Sequence, residues 1–442
     1  MAVSGWFVLL ITVGLVPLVA GGADQASAWW IAAGWIAACI ALGIIDLSLA
    51  ASPRQVTVER RLPARVRLGE SIESELFLTN SGARRMRALV RDAWQPSAGI
   101  DRRGRRRVDL PPGERRVLSF SLTPARRGER RVAVVAVRSW GPLRLWARQA
   151  DLSAPGRIRV LPPFLARKHL PSRLARLREL EGRTPVMVRG NGTEFDSIRE
   201  YVRGDDVRSI DWRATARAAD PTGGQRLMVR TWRPERDRRI VIITDTARSS
   251  AARIADEPRL DTSFEASLLL AALASHAGDR VDFLAWDRRV RGRVSGSNGP
   301  ELLSRLVDTM ASIESEIIEP DWSSVPAQVR SITSRHALVI VLTSIDSPGA
   351  TRSLLAMLPQ LTARHTVIVA SVTDPSLDTA VRDLSDREST YLAAAAERAS
   401  LDVERVASAV RRLGAHVVTA APADLPPALS DRYLDLKAAG LL

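Results

Sequence analysis

The sequence predicts a multidomain chain in three parts: a two-helix transmembrane hairpin, a β-sandwich, and a C-terminal α/β domain with a mostly parallel sheet. Three observations predict it. Two long uncharged apolar stretches open the chain, short punctuated strand patterns follow, and strand and helix patterns then alternate to the C-terminus. A length of 442 residues allows two to four domains. The expected boundaries are 1–53 for the hairpin, 54–162 for the sandwich, 163–236 for a connector, and 237–442 for the α/β domain.

The hairpin comes first. Met1 to Ala23 and Ala26 to Ile45 carry no charged side chain, and the spans expected are about 4–22 and 28–49. Each run meets the roughly 20-residue requirement for crossing a bilayer as a helix. The connector Gly21 to Ser27 is short and holds Asp24. Such a hairpin places both ends on one side. Arg54, Arg60, Arg61, Arg65 and Arg67 follow the second span, and the connector has no Lys or Arg, so the positive-inside rule puts both termini in the cytoplasm. Asp46, near the inner end, is read as interfacial, its carboxylate reaching the headgroups. A cleaved signal peptide competes, because Ala26, Ser27 and Ala28 imitate a cleavage site. The N-terminus lacks a positive region, however, and a second apolar run follows at once.

Formal net charge is +15, and among 64 basic residues only Lys168 and Lys437 are lysine. Such a surface favours anionic partners such as lipid headgroups, nucleic acid or acidic protein faces, against the plainer reading that it only aids solubility beside an anionic membrane. The single cysteine, Cys39, lies in the second apolar stretch, so no intrachain disulfide forms and no multi-cysteine metal site exists.

The sandwich reads from Val56–Glu59, Ser74–Leu78, Val117–Leu122 and Val132–Val137 as strands, with Asn80-Ser81-Gly82 and Pro111-Pro112-Gly113 as turns. The run Asp101 to Arg107 is a charged hairpin tip that can meet phosphate. It lacks the interleaved aromatics of single-strand binders, so nucleic acid is disfavoured and anionic lipid is the better target.

A basic connector, helical over Ser172 to Glu181, leads to a dense acid–arginine block from Gly192 to Arg217. Glu194, Asp196, Glu200, Asp205, Asp206 and Asp211 alternate with Arg199, Arg203, Arg208, Arg213 and Arg217. Arginine forks match carboxylates, so a self-satisfied ion-pair network is expected, with Tyr201 and Trp212 packed over it and Gly204 turning the chain. Asp205, Asp206 and Asp211 also have the chemistry to hold a hard cation. No histidine falls in the block, which disfavours zinc.

Arg199-Glu200-Tyr201, Gly204-Asp205-Asp206, Ile210-Asp211-Trp212 and Ala216-Arg217 stand in order within this segment. The series resembles the signature of the bacterial domain-of-unknown-function family fifty-eight. Arg126-Arg127-Gly128 and Trp140-Gly141-Pro142-Leu143 also resemble words of that family's β domain, with Trp140 where an acid is usual. The resemblance implies two N-terminal membrane spans, a β domain, and a von Willebrand A-like (Rossmann-type) domain after the signature. It also implies a MoxR-type AAA+ ATPase as partner, in a chaperone-like or envelope-related system.

The α/β domain has its own signals. Ile240–Ile243, Ala337–Leu342 and Thr366–Val372 read as buried parallel strands, Val281–Trp286 and Val290–Val294 as a strand pair, and His416–Thr419 as the closing strand. Phe264–His276, Leu302–Met310 and Thr390–Leu413 read as helices. Ligands of such sheets bind at the carboxyl ends of strands. There the loop Asp245 to Ser249 matches a D-x-S-x-S cation-binding word except at Ala247, and Thr343, Ser344 and Asp346 lie at a later strand end. The residues imply a degenerate Mg²⁺ site of Asp245, Ser249 and Asp346, against a metal-free structural loop.

No G-x-x-x-x-G-K-[ST] or dinucleotide fingerprint occurs. His336, His365 and His416 fall at strand starts, the edge opposite the expected site. The chain is therefore read as an interaction protein rather than an enzyme. Two alternatives stay open: an arginine-driven binder of anionic lipid or nucleic acid, and a metal-dependent hydrolase using paired carboxylates.

Overall fold

The computed structural model describes residues 2–21, 25–101, 104–183, 194–202, 205, 207–218, 226–233, 238–255, 257–296 and 299–442. The chain divides into two compact units, Met1–Pro163 with Met310–Ser312, and Phe164–Thr309 with Ile313–Leu442.

The first unit opens with β1 (Ala2–Val3), α1 (Gly5–Val13), α2 (Leu15–Gly21) and α3 (Gln25–Leu49). Ser4 caps α1 by accepting the Phe7 N–H at 3.2 Å. Among the described residues, helix α3 alone is long and apolar enough to cross a membrane, in a segment of mean hydropathy 2.0. The first expected span is shorter than predicted and broken after Val13. Pro17 has no N–H to bond the Val13 carbonyl, so the helical ladder is interrupted there. Gly14 sits at the break because Trp35 packs onto it: a Cβ there would lie 2.3 Å from the Trp35 ring.

Two antiparallel layers follow. One is β2 (Val56–Arg61), β4 (Ile72–Asn80) and β7 (Arg115–Leu122), in the order β2-β4-β7. The other has the order β1-β9-β8-β5-β6, from β5 (Met86–Asp92), β6 (Arg105–Leu110), β8 (Gly128–Trp140) and β9 (Trp146–Leu161), with β3 (Arg65–Arg67) parallel to β9. Alternate residues face inward: Leu76, Leu78 and Phe120 from the first layer meet Val90, Leu110, Val135 and Val137 from the second. This is the expected β-sandwich. The reading missed β3, β5, β6 and β9, and Arg105 to Arg107, taken for part of a hairpin tip, open strand β6; in β9, Pro155-Gly156 looks like a turn. The pair instead falls at a shift of register between β8 and β9, where a bulge tolerates proline.

Asp46 is the main departure. It does not reach outward to headgroups but is fully buried. Its Oδ1 accepts the Leu143 N–H at 2.7 Å, and its Oδ2 accepts those of Leu145 at 2.8 Å and Trp146 at 3.0 Å. The β8–β9 turn, where the sequence reading placed a degraded family word, thus folds onto the C-terminal end of α3. Arg60, counted among the basic residues that follow the second span, is buried between the layers against Asp92.

The second unit begins with α4 (Leu170–Arg183), the expected connector helix. Next come the two-stranded ribbon of β10 (Glu194–Glu200) and β11 (Met228–Arg233), with α5 (Trp212–Arg217) between them in sequence. The main sheet has the order β16-β15-β12-β17-β18-β19. Its strands are β12 (Arg239–Asp245), β15 (Arg280–Trp286), β16 (Val290–Val294), β17 (Leu338–Leu342), β18 (Thr366–Val372) and β19 (His416–Ala420). All neighbours are parallel except β15–β16, as expected. A two-residue pair, β13 (Arg253–Ile254) and β14 (Glu257–Pro258), precedes helix α6 (Arg259–His276), most of whose residues are buried. After α7 (Gly299–Ala311), helices α8 (Val325–Ile332) and α9 (Arg352–Thr362) pack on Val241, Ile243, Val339, Val341, Val367 and Val369. The end of α11 (Arg387–Arg412), which follows α10 (Pro375–Arg382), joins them through Val406 and Val410.

Helix α12 (Leu425–Ala438) lies against α6. It escaped the sequence reading because Pro426 and Pro427 look like a breaker. They stand in the first turn, where a missing N–H is harmless.

Candidate functional site

The signature segment is built from β10 outward. Its arginines and acids do pair, and they use residues beyond the block as well. Arg199 Nη2 donates to Asp205 Oδ1 at 2.7 Å, and Asp205 Oδ2 accepts the Val202 N–H at 3.0 Å. Asp211 caps α5: its Oδ1 accepts the N–H groups of Arg213 at 2.9 Å and Ala214 at 3.0 Å. Its Oδ2 takes Arg230 Nε at 2.6 Å. The Ala214 N–H first, and then the Arg230 guanidinium, hold the Asp211 carboxyl below the usual carboxylate range. Backbone bonds tie the same corner to β11: Asp211 N–H to the Met228 carbonyl at 2.8 Å, and Met228 N–H to Thr215 Oγ1 at 3.0 Å.

Arg230 is the partner that sequence reading missed, since it lies on β11, outside the dense block. An arginine facing a cap aspartate across a hairpin leaves no local spacing signal. With one arginine on each, Asp205 and Asp211 do not present the open carboxylate set expected for a hard cation. Gly204 and Asp206 lie outside the described residues, as does Arg203.

The aromatic expectation fails at Trp212. Rather than covering the ion pairs, its side chain is exposed, at 69%. The reason is local: Trp212 is the first residue after the cap, and the Asp211 bonds turn α5 so that Thr215 faces inward. Tyr201 is half-buried, and Glu200, Arg208 and Arg217 are on the surface. Val202 and Val207 are also exposed, at 57% and 63%. Half-exposed arginines thus pair with buried Asp205 and Asp211 here, while Trp212, Val202 and Val207 lie on the surface.

The second candidate lies at the carboxyl edge of the sheet. Asp245 ends β12 and is buried; its Oδ1 accepts the Ala247 N–H at 2.8 Å, and its Oδ2 accepts Ser249 Oγ and Thr343 Oγ1, both at 2.7 Å. Burial pushes the Asp245 carboxyl up, against the pull of these donors. The structure therefore brings Asp245, Ser249 and Thr343 together. Asp346 is engaged elsewhere: Arg259, at the start of α6, pairs with it and donates to Ser344 Oγ at 2.9 Å. The two carboxylates expected to share a Mg²⁺ thus each take chain donors, Asp245 from Ser249 and Thr343 and Asp346 from Arg259. Among the described residues no group of three His, Cys, Asp or Glu is placed to hold a metal. Asp287, fully buried at the end of β15, also went unread; it accepts the Arg289 N–H at 3.0 Å and adds negative potential beside Asp245.

A family model described as a protein of unknown function, DUF58, matches residues 197–419, from within β10 into β19. The chain belongs to the DUF58 family. The DUF58 segment includes both the signature corner and the Asp245 loop. Uncharacterised proteins of Mycobacterium tuberculosis and Mycobacterium bovis are 25% identical over 202 residues, 45% of this chain and 61% of theirs. The chain therefore spans less than two thirds of the length of these relatives. Among solved structures, the CARDB domain of a Pyrococcus furiosus protein is 23% identical, with 24% of this chain and 94% of that chain covered and a TM-score of 0.18. A trypsin-activated alpha-2-macroglobulin from Escherichia coli is 15% identical, with 24% and 7% covered and a TM-score of 0.21. Scores that low leave the description of the sandwich to rest on its own strand pairing.

Proposed function

We propose that this DUF58 chain is a two-pass, membrane-anchored cytoplasmic adaptor that works by binding another protein. The observation that carries this reading is the exposure of Trp212, Val202 and Val207 on a corner held by the ion pairs Arg199–Asp205 and Asp211–Arg230. Exposed tryptophan on a rigid support is the usual chemistry of an interface anchor. The family resemblance makes a MoxR-type AAA+ ATPase the partner to test first. The α/β unit is read as von Willebrand A-like: five parallel strands, one antiparallel edge strand, and a buried aspartate ending β12.

The anchoring half of the proposal draws on the first unit. Strand β1 pairs with β9, and α3 runs into β2, so both ends of the apolar hairpin meet the β-sandwich and belong on one side. From the exposed pair Trp29 and Trp30 to Leu49, α3 rises about 30 Å, the thickness of a hydrocarbon core. The arginines after α3 make that side the cytoplasm.

The test is purification of the full chain from membranes after crosslinking, beside Trp212→Asp. The expected result is an AAA+ ATPase with the wild type and a loss of at least tenfold with the variant, at unchanged melting temperature. Equal recovery by both proteins, or no ATPase with either, would end the proposal.

A further inference from the structure

We propose that the exit of α3 carries a docking surface for anionic phospholipid headgroups, made by the β8–β9 turn and by Arg54, Arg84, Arg144 and Arg148. It rests on the anchored reading above and adds to it a second, chemically specific contact with the bilayer.

The surface is built, not merely charged. The turn is held against α3 by the three N–H bonds to buried Asp46 and by the closeness of Gly141, where a Cβ would lie 2.2 Å from Asp46 Oδ1. Leu143, whose own N–H is one of the three, leaves its side chain 53% exposed beside the end of a membrane helix. Arg84 Nη1 donates to the Ser48 carbonyl at 2.8 Å, and Arg148 Nε donates to that of Leu47 at 2.9 Å. These are the last turns of α3, so both guanidinium groups lie at the depth where the helix leaves the hydrocarbon. A guanidinium has five N–H donors, and most remain open to a phosphate oxygen. Arg54 and Arg144, both exposed, flank them in sequence: one follows α3 and the other lies within the turn.

Place, not pairing alone, distinguishes these four: they lie at the end of α3 and in the turn bonded to it, while several other arginines of the unit are neutralised by carboxylates. Arg85 pairs with Asp109, Arg115 with Glu59 and Arg131 with Glu129. Among the described residues, Arg54, Arg84, Arg144 and Arg148 have no carboxylate partner. An apolar wedge among unpaired arginines, at the end of a membrane helix, complements the acyl boundary and the phosphates of an acidic leaflet. Each such arginine contributes roughly fivefold to headgroup association.

The full-length protein would be placed in nanodiscs of phosphatidylcholine alone or with phosphatidylglycerol, and the lipid retained on gentle release identified by native mass spectrometry. Enrichment of phosphatidylglycerol is expected for the wild type, with a fall of tenfold or more for R84Q/R144Q/R148Q. R54Q/R144Q leaves the bonds to the α3 carbonyls intact and should lose a smaller part at unchanged stability. Leu143→Trp should be quenched by brominated acyl chains. Equal enrichment in R54Q/R144Q and the wild type, an unquenched tryptophan, or displacement by an oligonucleotide at matched phosphate would each overturn the proposal. Alkaline extraction of the wild type separates the two failures. Release from membranes defeats the anchored reading itself, whereas retention with unchanged lipid preference defeats only this inference.

Discussion

Asp46 spends both carboxylate oxygens on three backbone N–H groups, in the turn after a strand that lies far from it in sequence. A buried N–H left without an acceptor costs about 1–3 kcal/mol. Asp46→Ala orphans three at once and is expected to lower stability by about 3 kcal/mol or more. Gly141→Ala attacks the same contact from the other side, since its new methyl would overlap Asp46 Oδ1. Thermal unfolding of the detergent-solubilised full chain checks both: each variant should melt well below the wild type, and the double variant should lose much less than the sum. Near-wild-type melting of Asp46→Ala would show that water replaces the turn.

Among elements, the two layers of the sandwich are joined by a pair that hydrophobic pattern does not reveal. Arg60 on β2 and Asp92 on β5 bond bidentately at 2.7 and 2.8 Å, both nearly inaccessible to solvent. Ser74 Oγ accepts from Arg60 at 2.8 Å, the Ala154 carbonyl accepts its Nε–H at 3.1 Å, and Trp94 Nε1 donates to Asp92 at 2.8 Å. Gly156 keeps room for the arginine, since a Cβ there would lie 2.5 Å from Arg60 Cδ. With every partner in place the network is satisfied, and losing one member leaves a buried charge. Asp92→Ala is expected to destabilise the protein by about 3–5 kcal/mol. Arg60→Met with Asp92→Leu should recover most of that loss. Denaturant titration of the full chain measures both, and equal stability of the single and double variants would refute this account.

For the molecule as a whole, the sheet sorts its titrating groups to opposite edges. Asp245 and Thr343 stand at carboxyl ends of strands, while His336, His365 and His416 stand at or before amino ends. Burial, and then nearby His336 and Arg364, push the His365 imidazole down. A depressed histidine binds its proton less well folded than unfolded, so its stabilising effect is complete above the ordinary value near 6.5 and is lost as pH falls through the folded value. Melting temperature should therefore fall as pH drops below about 6.5. His365→Gln should flatten that part of the profile, and an unchanged slope in the variant would exclude His365 as the cause.

The apolar opening, the two-residue alternation of β4 and β8, and the strand–helix alternation after residue 238 were all legible, because burial of apolar faces leaves a local period in the chain. The four words of the signature were equally plain. Helix α12 and strand β9 were not, because proline read as a breaker sits where its missing N–H does no harm. The sequence by itself determined the order and class of the layers, the DUF58 membership and the side of the sheet on which Asp245 lies. Only the tertiary structure decided which charges are paired and which face outward. Arg230 reaching Asp211, Arg259 reaching Asp346, Arg60 reaching Asp92 and the β8–β9 turn reaching Asp46 are long-range contacts. Such contacts follow from where chain segments are packed, and no spacing along the chain encodes them.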